Sequence, residues 1–177
     1  VAEGGMGTAA ASRATRLLLS KVRPCLLISA GFCGAVHEGA RVADLVICKR
    51  LFAADESGLH EMILPGSGMS TARLSAELQG RGIRTWQGSF ITTRQVVSKA
   101  AIAETLPVEL PTPVLEMESA AVAVAAVGVG IPFIGLRTIS DDAAEELEFS
   151  LDELTDAQLR ISILRVLLTC LKKPSII

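Results

Sequence analysis

The chain has 177 residues, of which 17 are basic and 19 acidic, so its net charge is −2, and half of its residues are hydrophobic. This small, evenly spread charge argues against a nucleic-acid or membrane-surface partner, and no apolar run reaches the ~18 residues of a membrane span. The length suits one domain with a hydrophobic core. Five Phe, one Trp and no Tyr also disfavour a stacking platform for single-stranded nucleic acid.

The glycine-rich stretch from Gly4 to Gly7 predicts a turn into a helix at residues 8–22. A helix N-terminus favours an anion, but the glycines match neither the dinucleotide nor the Walker pattern, so a plain strand-to-helix turn is the favoured interpretation. A buried strand follows at Cys25 to Ala30, then a turn at Gly31 to Ala35 and a second strand at Val42 to Cys48.

The second half of the chain alternates in the same way. Ser70 is expected to cap a surface helix that ends near Gly80. A strand is predicted at Ile83 to Thr93 and a helix at Arg94 to Leu106. Apolar residues at helical spacing predict an amphipathic helix at Asp152 to Leu171. The class is therefore α/β, with residues 1–177 forming a single domain whose mixed, mostly parallel central sheet is flanked by helices.

The stretch from Pro113 to Asp142 places its carboxylates at the ends of apolar elements. Glu116 and Glu118 precede a run of small apolar residues, which predicts a buried helix. Asp141 and Asp142 follow a strand, and ligands of parallel α/β sheets bind beyond the carboxyl ends of strands. Two interpretations stay open: a functional site, or charges that only complement the helix dipole and cap the next helix.

Thiols and histidines indicate no metal or nucleophilic chemistry. The four cysteines lack metal-ligand spacing and mostly lie in apolar runs, and no secretory leader precedes them. These features predict reduced thiols in a cytoplasmic protein, without a disulfide framework. His37 and His60 lie in polar surroundings, which predicts solvated side chains.

Seven motifs occur along the chain in the order of a known enzyme family. They are Gly5-Met6-Gly7, Gly31-Phe32-Cys33-Gly34, Asp44-Leu45-Val46, Gly88-Ser89-Phe90-Ile91, Glu116-Met117-Glu118-Ser119-Ala120-Ala121, Ile131-Pro132-Phe133 and Arg137-Thr138-Ile139-Ser140-Asp141. Together they resemble the purine nucleoside phosphorylase and nucleosidase superfamily, in particular its methylthioadenosine/adenosylhomocysteine nucleosidases, futalosine hydrolases and hopanoid-associated nucleoside phosphorylases. The resemblance implies an enzyme that cleaves the N-glycosidic bond of a 5′-modified adenosine-type nucleoside and releases the base, and it implies a homodimer or larger homo-oligomer.

The resemblance also implies roles for individual residues. Asp141 would protonate the leaving purine, with Ser140 orienting it. Because an ordinary Asp has a pKa near ~3.9, an apolar enclosure that includes Phe133 and Ile139 is expected to raise the pKa of Asp141. Arg137 is expected to organise the interior through hydrogen bonds.

Sugar and base contacts are implied for four further residues. Glu118 would accept hydrogen bonds from the two ribose hydroxyls, since two carboxylate oxygens suit a vicinal diol. Met117 would pack on the sugar face. Val97 would contact the purine edge through its backbone, with Val96 in place of an aromatic side chain. For Val97 and Val96, ordinary core packing is the alternative.

Two departures from the family bear on the nucleophile. Ser29 and Phe32 stand where the phosphorylases carry a phosphate-binding Arg and a Ser or Thr, and neither replacement suits a dianion. Phe32 would then border the nucleoside. Hydrolysis is therefore favoured, although an Arg from elsewhere or from a neighbouring subunit would restore phosphorolysis.

The second departure concerns the start of the chain. The hydrolases activate water with a Glu after the first strand, which would precede Val1, so the domain is expected to lack that strand. Leu151 stands where an aromatic side chain often closes the purine pocket. Besides a nucleosidase, the sequence leaves open a phosphate-dependent phosphorylase and a catalytically weakened nucleoside-binding protein. No metal or organic cofactor is expected; phosphate is a possible co-substrate.

Overall fold

The structure, a computed structural model, describes residues 1–64, 66–107 and 109–143. Within these ranges the chain forms four helices and six strands. Their order is α1 (Thr8–Lys21), β1 (Leu27–Ala35), β2 (Leu45–Asp55), β3 (Gly58–Met62), α2 (Ser67–Gly80), β4 (Thr85–Thr92), α3 (Lys99–Thr105), β5 (Pro113–Glu116), α4 (Ser119–Gly128) and β6 (Phe133–Asp141). The described helices include none that is both long and apolar enough to cross a membrane.

The strands form one mixed sheet in the order β3-β2-β4-β5-β1-β6. An additional β2–β6 pairing returns the last strand to the second, so that five strands close on themselves and β3 stays outside the ring. The β1–β6 and β2–β4 pairings are parallel and are the longest, each with eight residue pairs. The mixed, mostly parallel sheet flanked by helices is thus confirmed.

The core lies between this sheet and the helices that cover it. Val46, Ile47, Leu51 and Phe90 are fully buried side chains of β2 and β4. Helix α4 presents Ala123 and Ala126 to the same cluster, and small side chains let a helix approach a sheet or another helix closely. Helices α1 and α4 also pack against each other. The N-terminus of α1 therefore lies close to the chain segment that leads into α4.

The predicted turn at residues 31–35 is wrong, because these residues continue β1. Parallel pairing with β6 runs from Leu27 to Gly34, with one irregularity between Cys33 and Gly34. The glycines therefore create room beside a strand: a Cβ on Gly31 would lie 3.6 Å from the Arg137 guanidinium. The glycines of β1 matter because they lack side chains. The sequence pattern of such a strand is the same as that of a turn.

Helix boundaries also differ from the predictions. Helix α2 begins at Ser67, after Gly66 in a left-handed conformation, and so Ser70 is not its cap. Helix α3 covers only Lys99–Thr105 of the predicted helix, and Ser98 accepts a hydrogen bond from Ala101 N there. The predicted helix at 152–171 and the pocket-closing position 151 lie outside the described residues.

The predicted burial of α4 on all sides is also wrong. Val124 and Val127 are exposed on α4, since the ten-residue helix contacts the core along one face only. The core also takes in aromatic side chains, since Phe52 and Phe90 are buried in β2 and β4.

Candidate active site

A buried carboxylate, Glu116, organises the entry into α4. It ends β5, and its Oε2 accepts hydrogen bonds from Glu118 N at 3.1 Å and Ser119 N at 2.8 Å. Its other oxygen accepts from Thr92 Oγ1, which itself accepts from Ala120 N at 3.0 Å. Glu116 and Thr92 thus satisfy amides at the helix start that have no partner within the helix. The chain direction at Glu118 is fixed as a result.

Arg137 neutralises this carboxylate. Its side chain is buried on β6, and Nη2 lies 2.5 Å from Glu116 Oε2. Nη1 donates to the Ser29 and Leu136 carbonyls at 3.1 and 3.0 Å. The guanidinium thereby joins β1, β5 and β6, which agrees with the interior role expected for it. A buried ion pair with further hydrogen bonds leaves few unsatisfied donors or acceptors.

Glu118, the residue before α4, is partly exposed and faces α1. Its Oε1 accepts from Gly7 N at 2.7 Å, and its Oε2 lies 3.6 Å from Arg137 Nη2. Burial raises the pKa of Glu118, and the negative charge of Glu116 adds to this rise, while the Gly7 amide and Arg137 oppose it. The side chain is 23 % exposed, so a carboxylate oxygen remains available to a ligand's hydroxyl groups.

A second carboxylate, Asp141, ends β6. Ser140 Oγ donates to Asp141 Oδ1 at 2.6 Å and also lies 3.2 Å from the Cys33 carbonyl oxygen. The other oxygen, Oδ2, is ion-paired with Lys99 Nζ, and Lys99 also donates to the Asp142 carbonyl. The Lys99 and Asp141 side chains are 7 % and 14 % exposed. Both carboxylate oxygens are therefore held in place.

Strand β1 lies between the two carboxylate centres. Gly34 pairs with Asp141 on one side and with Leu115, the neighbour of Glu116, on the other. Two strand spacings amount to ~10 Å, a distance that a nucleoside can bridge. Burial raises the pKa of the intervening Cys33 thiol to about 12, and the nearby acidic groups add to this while Arg137 and Lys99 oppose it. Cys33 is consequently an inert thiol.

The remaining predicted site residues lie around these centres with less constraint. Phe32 is 72 % exposed and pairs with Thr138 in the sheet, two residues before Ser140. Met117 and Val97 are half-buried, on the segments before α4 and α3. Ser29 is buried, and its hydroxyl oxygen lies 3.2 Å from Arg137 Nη1 and Nη2. Ser29 is thus part of the interior network.

Phe133 does not enclose Asp141 as predicted, because it lies at the opposite end of β6. In the described part of the chain, a hydroxyl and an ammonium contact the Asp141 carboxylate. Sequence reasoning missed Lys99 altogether. A signal was present, because Lys99 is the single charged residue between Arg94 and Glu104.

A cavity of about 540 Å³ opens beside α1 and α4, next to the start of α4. Thr8, Thr92, Arg94 and Ala120 contribute to its walls, whereas the candidate site residues do not. The described side chains contain no group of three or more His, Cys, Asp or Glu residues able to hold a metal ion. The polar side chains described at the two carboxylate centres are carboxylates, a serine and a lysine.

A family model and individual relatives point to the same family. Residues 1–172 match the model of the phosphorylase superfamily. A 5′-methylthioadenosine/S-adenosylhomocysteine nucleosidase of Actinobacillus succinogenes is 26% identical over 169 residues, which cover 85% of this chain and 71% of the relative.

Solved structures share the fold. The same kind of nucleosidase from Colwellia psychrerythraea, in complex with adenine, has a TM-score of 0.66 at 21% identity, covering 80% of this chain and 65% of that one. A futalosine hydrolase mutant of Helicobacter pylori has a TM-score of 0.64 at 22% identity, covering 77% and 67%.

Proposed function

The chain belongs to the phosphorylase superfamily, and we propose that it cleaves the N-glycosidic bond of a 5′-modified adenosine-type nucleoside, by hydrolysis in preference to phosphorolysis. The observation that carries the proposal is the pair of carboxylate centres on either side of β1. Glu118 offers an accessible carboxylate beside the α1 N-terminus, and Asp141 offers a second one beside Ser140. Nucleosidases among the relatives support the same reaction.

Glu118 is the proposed sugar ligand. Hydroxyl groups of a ribose diol would donate to its oxygens, while the Gly7 amide holds Oε1 in position. Breaking the bond to the base leaves positive charge on the sugar, and a nearby carboxylate stabilises that charge. Met117 would pack on the sugar face, and Phe32 would border the same space from β1.

Asp141 is the proposed group that delivers a proton to the departing base. The purine carries the electron pair of the broken bond, and protonation lowers the barrier to its departure. Ser140 fixes one oxygen of the carboxyl group. Val97, on the segment before α3, would contact the purine edge through its backbone.

Hydrolysis is favoured because Ser29, at the position expected to bind phosphate, already forms hydrogen bonds with Arg137. The Ser29 hydroxyl oxygen accepts from Arg137, whose guanidinium pairs with Glu116. Phe32, three residues further along β1, is exposed, and a phenyl ring does not coordinate a dianion. Arg137 itself is buried and paired with Glu116, so its guanidinium is not available to phosphate.

The deciding experiment measures release of free base from methylthioadenosine, adenosylhomocysteine, inosine and futalosine, with and without inorganic phosphate. Equal release in both conditions is the expected result. Strict dependence on phosphate would replace hydrolysis by phosphorolysis. Calorimetric binding of adenine without release of base from any of the four nucleosides would contradict the enzymatic proposal.

Replacing Asp141 by Asn tests the proton donor. The amide cannot pass on a proton, and general acid catalysis contributes about 10²–10⁴-fold, so kcat should fall by about that factor. Asp55→Asn, at the exposed end of β2, is the matched control and should retain activity. Unchanged turnover of the Asp141 variant would remove this residue from the mechanism.

A further inference from the structure

We propose that Lys99 supplies the proton that Asp141 delivers to the leaving base, so that the acid of this site is a lysine–aspartate pair. The proposal rests on the function proposed above and names a residue that the family resemblance did not indicate. Lys99 acts through Asp141 and is in that sense a positioning residue.

Lys99 and Asp141 form an ion pair with little exposure to solvent. The Lys99 ammonium contacts Asp141 Oδ2 at the end of β6, and it reaches there from the first residue of α3. Both side chains are nearly buried, and burying a charge is costly unless the charge is paired. An opposite charge in contact favours the ionised carboxylate. The Lys99 ammonium is therefore placed to donate to Asp141 Oδ2.

Gly34 shows that β1 is shaped around this contact. A Cβ at this position would lie 2.6 Å from Asp141 Oδ2 and 3.0 Å from Lys99 Cε. Only a residue without a side chain leaves the ammonium and the carboxylate room to meet. Ser140 holds the opposite oxygen, so the carboxylate cannot turn away without losing a second hydrogen bond.

Cys33, Glu116 and Arg137 lie near the pair in the described part of the chain, and Asp142 is the residue that follows Asp141. The Cys33 thiol on β1 is protonated, because burial raises its pKa to about 12. Glu116 and Arg137 neutralise each other. The Asp142 carbonyl accepts from Lys99 without offering a proton. Among the described side chains in contact with Asp141, Lys99 is therefore the cationic donor.

One proton moves from Lys99 to the purine in each turnover. Lys99 Nζ first transfers its proton to Asp141 Oδ2. The sugar–base bond then breaks, its electron pair goes to the purine, and the Asp141 carboxyl group passes that proton on to the purine. Lys99 becomes a neutral amine. The water that adds to the sugar carbon loses one proton, and solvent returns one proton to Lys99 before the next turnover.

The test compares pH profiles of kcat/KM for methylthioadenosine between about pH 5 and pH 10. Wild type, Lys99→Met, Lys99→Arg and the exposed control Lys49→Met are measured together, each with its melting temperature. Ordinary lysine and aspartate titrate near ~10.4 and ~3.9. The wild-type rate should therefore persist on the alkaline side to about pH 9 or beyond.

In Lys99→Met the proton must reside on Asp141 alone. We expect its alkaline limb to lie at least about two pH units lower, so that its loss at pH 8 exceeds its loss at pH 5 about tenfold or more. Arginine keeps the positive charge but does not release a proton. Lys99→Arg should therefore be impaired at every pH, and Lys49→Met should follow wild type.

Several outcomes overturn the proposal. Rescue of activity by Lys99→Arg would mean that Lys99 supplies only charge. A Lys99→Met profile of wild-type shape would mean that it supplies only packing. A wild-type alkaline limb below about pH 7 would contradict a lysine donor even if both variants fail to fold. Wild type without base release overturns this proposal together with the proposed function, whereas an active wild type with loss in Asp141→Asn leaves that function standing.

Discussion

At the residue scale, Gly34 is the position where a single methyl group should matter most for activity. In Gly34→Ala the new Cβ would meet the Asp141 carboxylate and Lys99 Cε, so one of them has to move. We expect kcat/KM to fall about tenfold or more, which corresponds to ~1.4 kcal/mol in the barrier. Steady-state kinetics on purified variants measures this directly.

Gly31→Ala is the matched control for that change. Gly31 lies three residues earlier on β1, and its Cβ would approach Arg137 only to 3.6 Å, an ordinary contact distance. Its activity should stay within about twofold of wild type, less than ~0.5 kcal/mol. Equal losses in both variants would show that β1 tolerates no methyl group anywhere, and the special role of Gly34 would be lost.

Glu118 should give the site a pH dependence of sugar binding. Burial raises the pKa of this carboxyl group, and a protonated carboxyl group is a weaker acceptor for ribose hydroxyls. KM for methylthioadenosine should therefore rise as pH falls through that raised pKa. Glu118→Gln should raise KM at neutral pH and flatten its acid dependence, while Glu104→Gln, on exposed α3 surface, should not.

The same residue makes a prediction about stability. A carboxyl group whose pKa is raised on folding binds protons more tightly in the native state, so its contribution favours folding at low pH and is lost as pH rises through the folded pKa. Glu118→Gln carries no charge at any pH. The melting temperature of Glu118→Gln minus that of wild type should therefore be larger at pH 8 than at pH 4. A difference that does not change with pH would contradict a raised pKa of Glu118.

At the scale of elements, Arg137 is what couples β6 to the entry of α4. Arg137→Met would leave Glu116 buried without its cation, and breaking such a pair costs about 3–5 kcal/mol. The double variant with Glu116→Gln should recover part of this loss, since no buried charge remains. Denaturant unfolding monitored by circular dichroism measures both. Arg50→Met, in an exposed pair with Glu61, is the control and should change little.

Elements were predictable from sequence where one pattern dominated. Helix α1 was predicted at residues 8–22, and its observed bounds, Thr8–Lys21, differ by one residue. The glycines of β1 leave room for bulky neighbouring side chains. A strand of this kind has the same composition as a loop, so its sequence predicts a turn. The reason for Gly34 resides in Lys99 and Asp141, which are distant in sequence.

The site was predictable only in part, for the same reason. Their position at the ends of apolar elements indicates Glu118 and Asp141 as candidate site residues. The family resemblance implies their roles. The contact between Lys99 and Asp141 depends on how α3 docks against the end of β6. No local pattern encodes that docking, so Lys99 could be seen as an isolated charge but not as a partner.

At the scale of the whole molecule, closure of the sheet depends on β6 approaching both β1 and β2. Residues Leu45 to Ile47 pair with Leu136 to Thr138, which completes the ring of five strands. Gly135, just before this pairing, lies against the interior: a Cβ there would be 2.8 Å from Cys48 Cβ and 2.9 Å from the Phe90 ring. Both neighbours are fully buried, so neither can move aside cheaply.

Gly135→Ala should consequently destabilise the protein by about 1–3 kcal/mol, the usual cost of overpacking a close-packed core. Gly128→Ala is the counterpart, because Gly128 ends α4 and a methyl group added there would have no atom of the described residues within 4 Å beyond its own helix and chain neighbours. Alanine lowers the entropy of the unfolded chain relative to glycine, so that variant should be neutral or up to about 1 kcal/mol more stable. Unfolding midpoints in urea decide between them: if Gly135→Ala is as stable as Gly128→Ala, the sheet does not close tightly against β2 and β4.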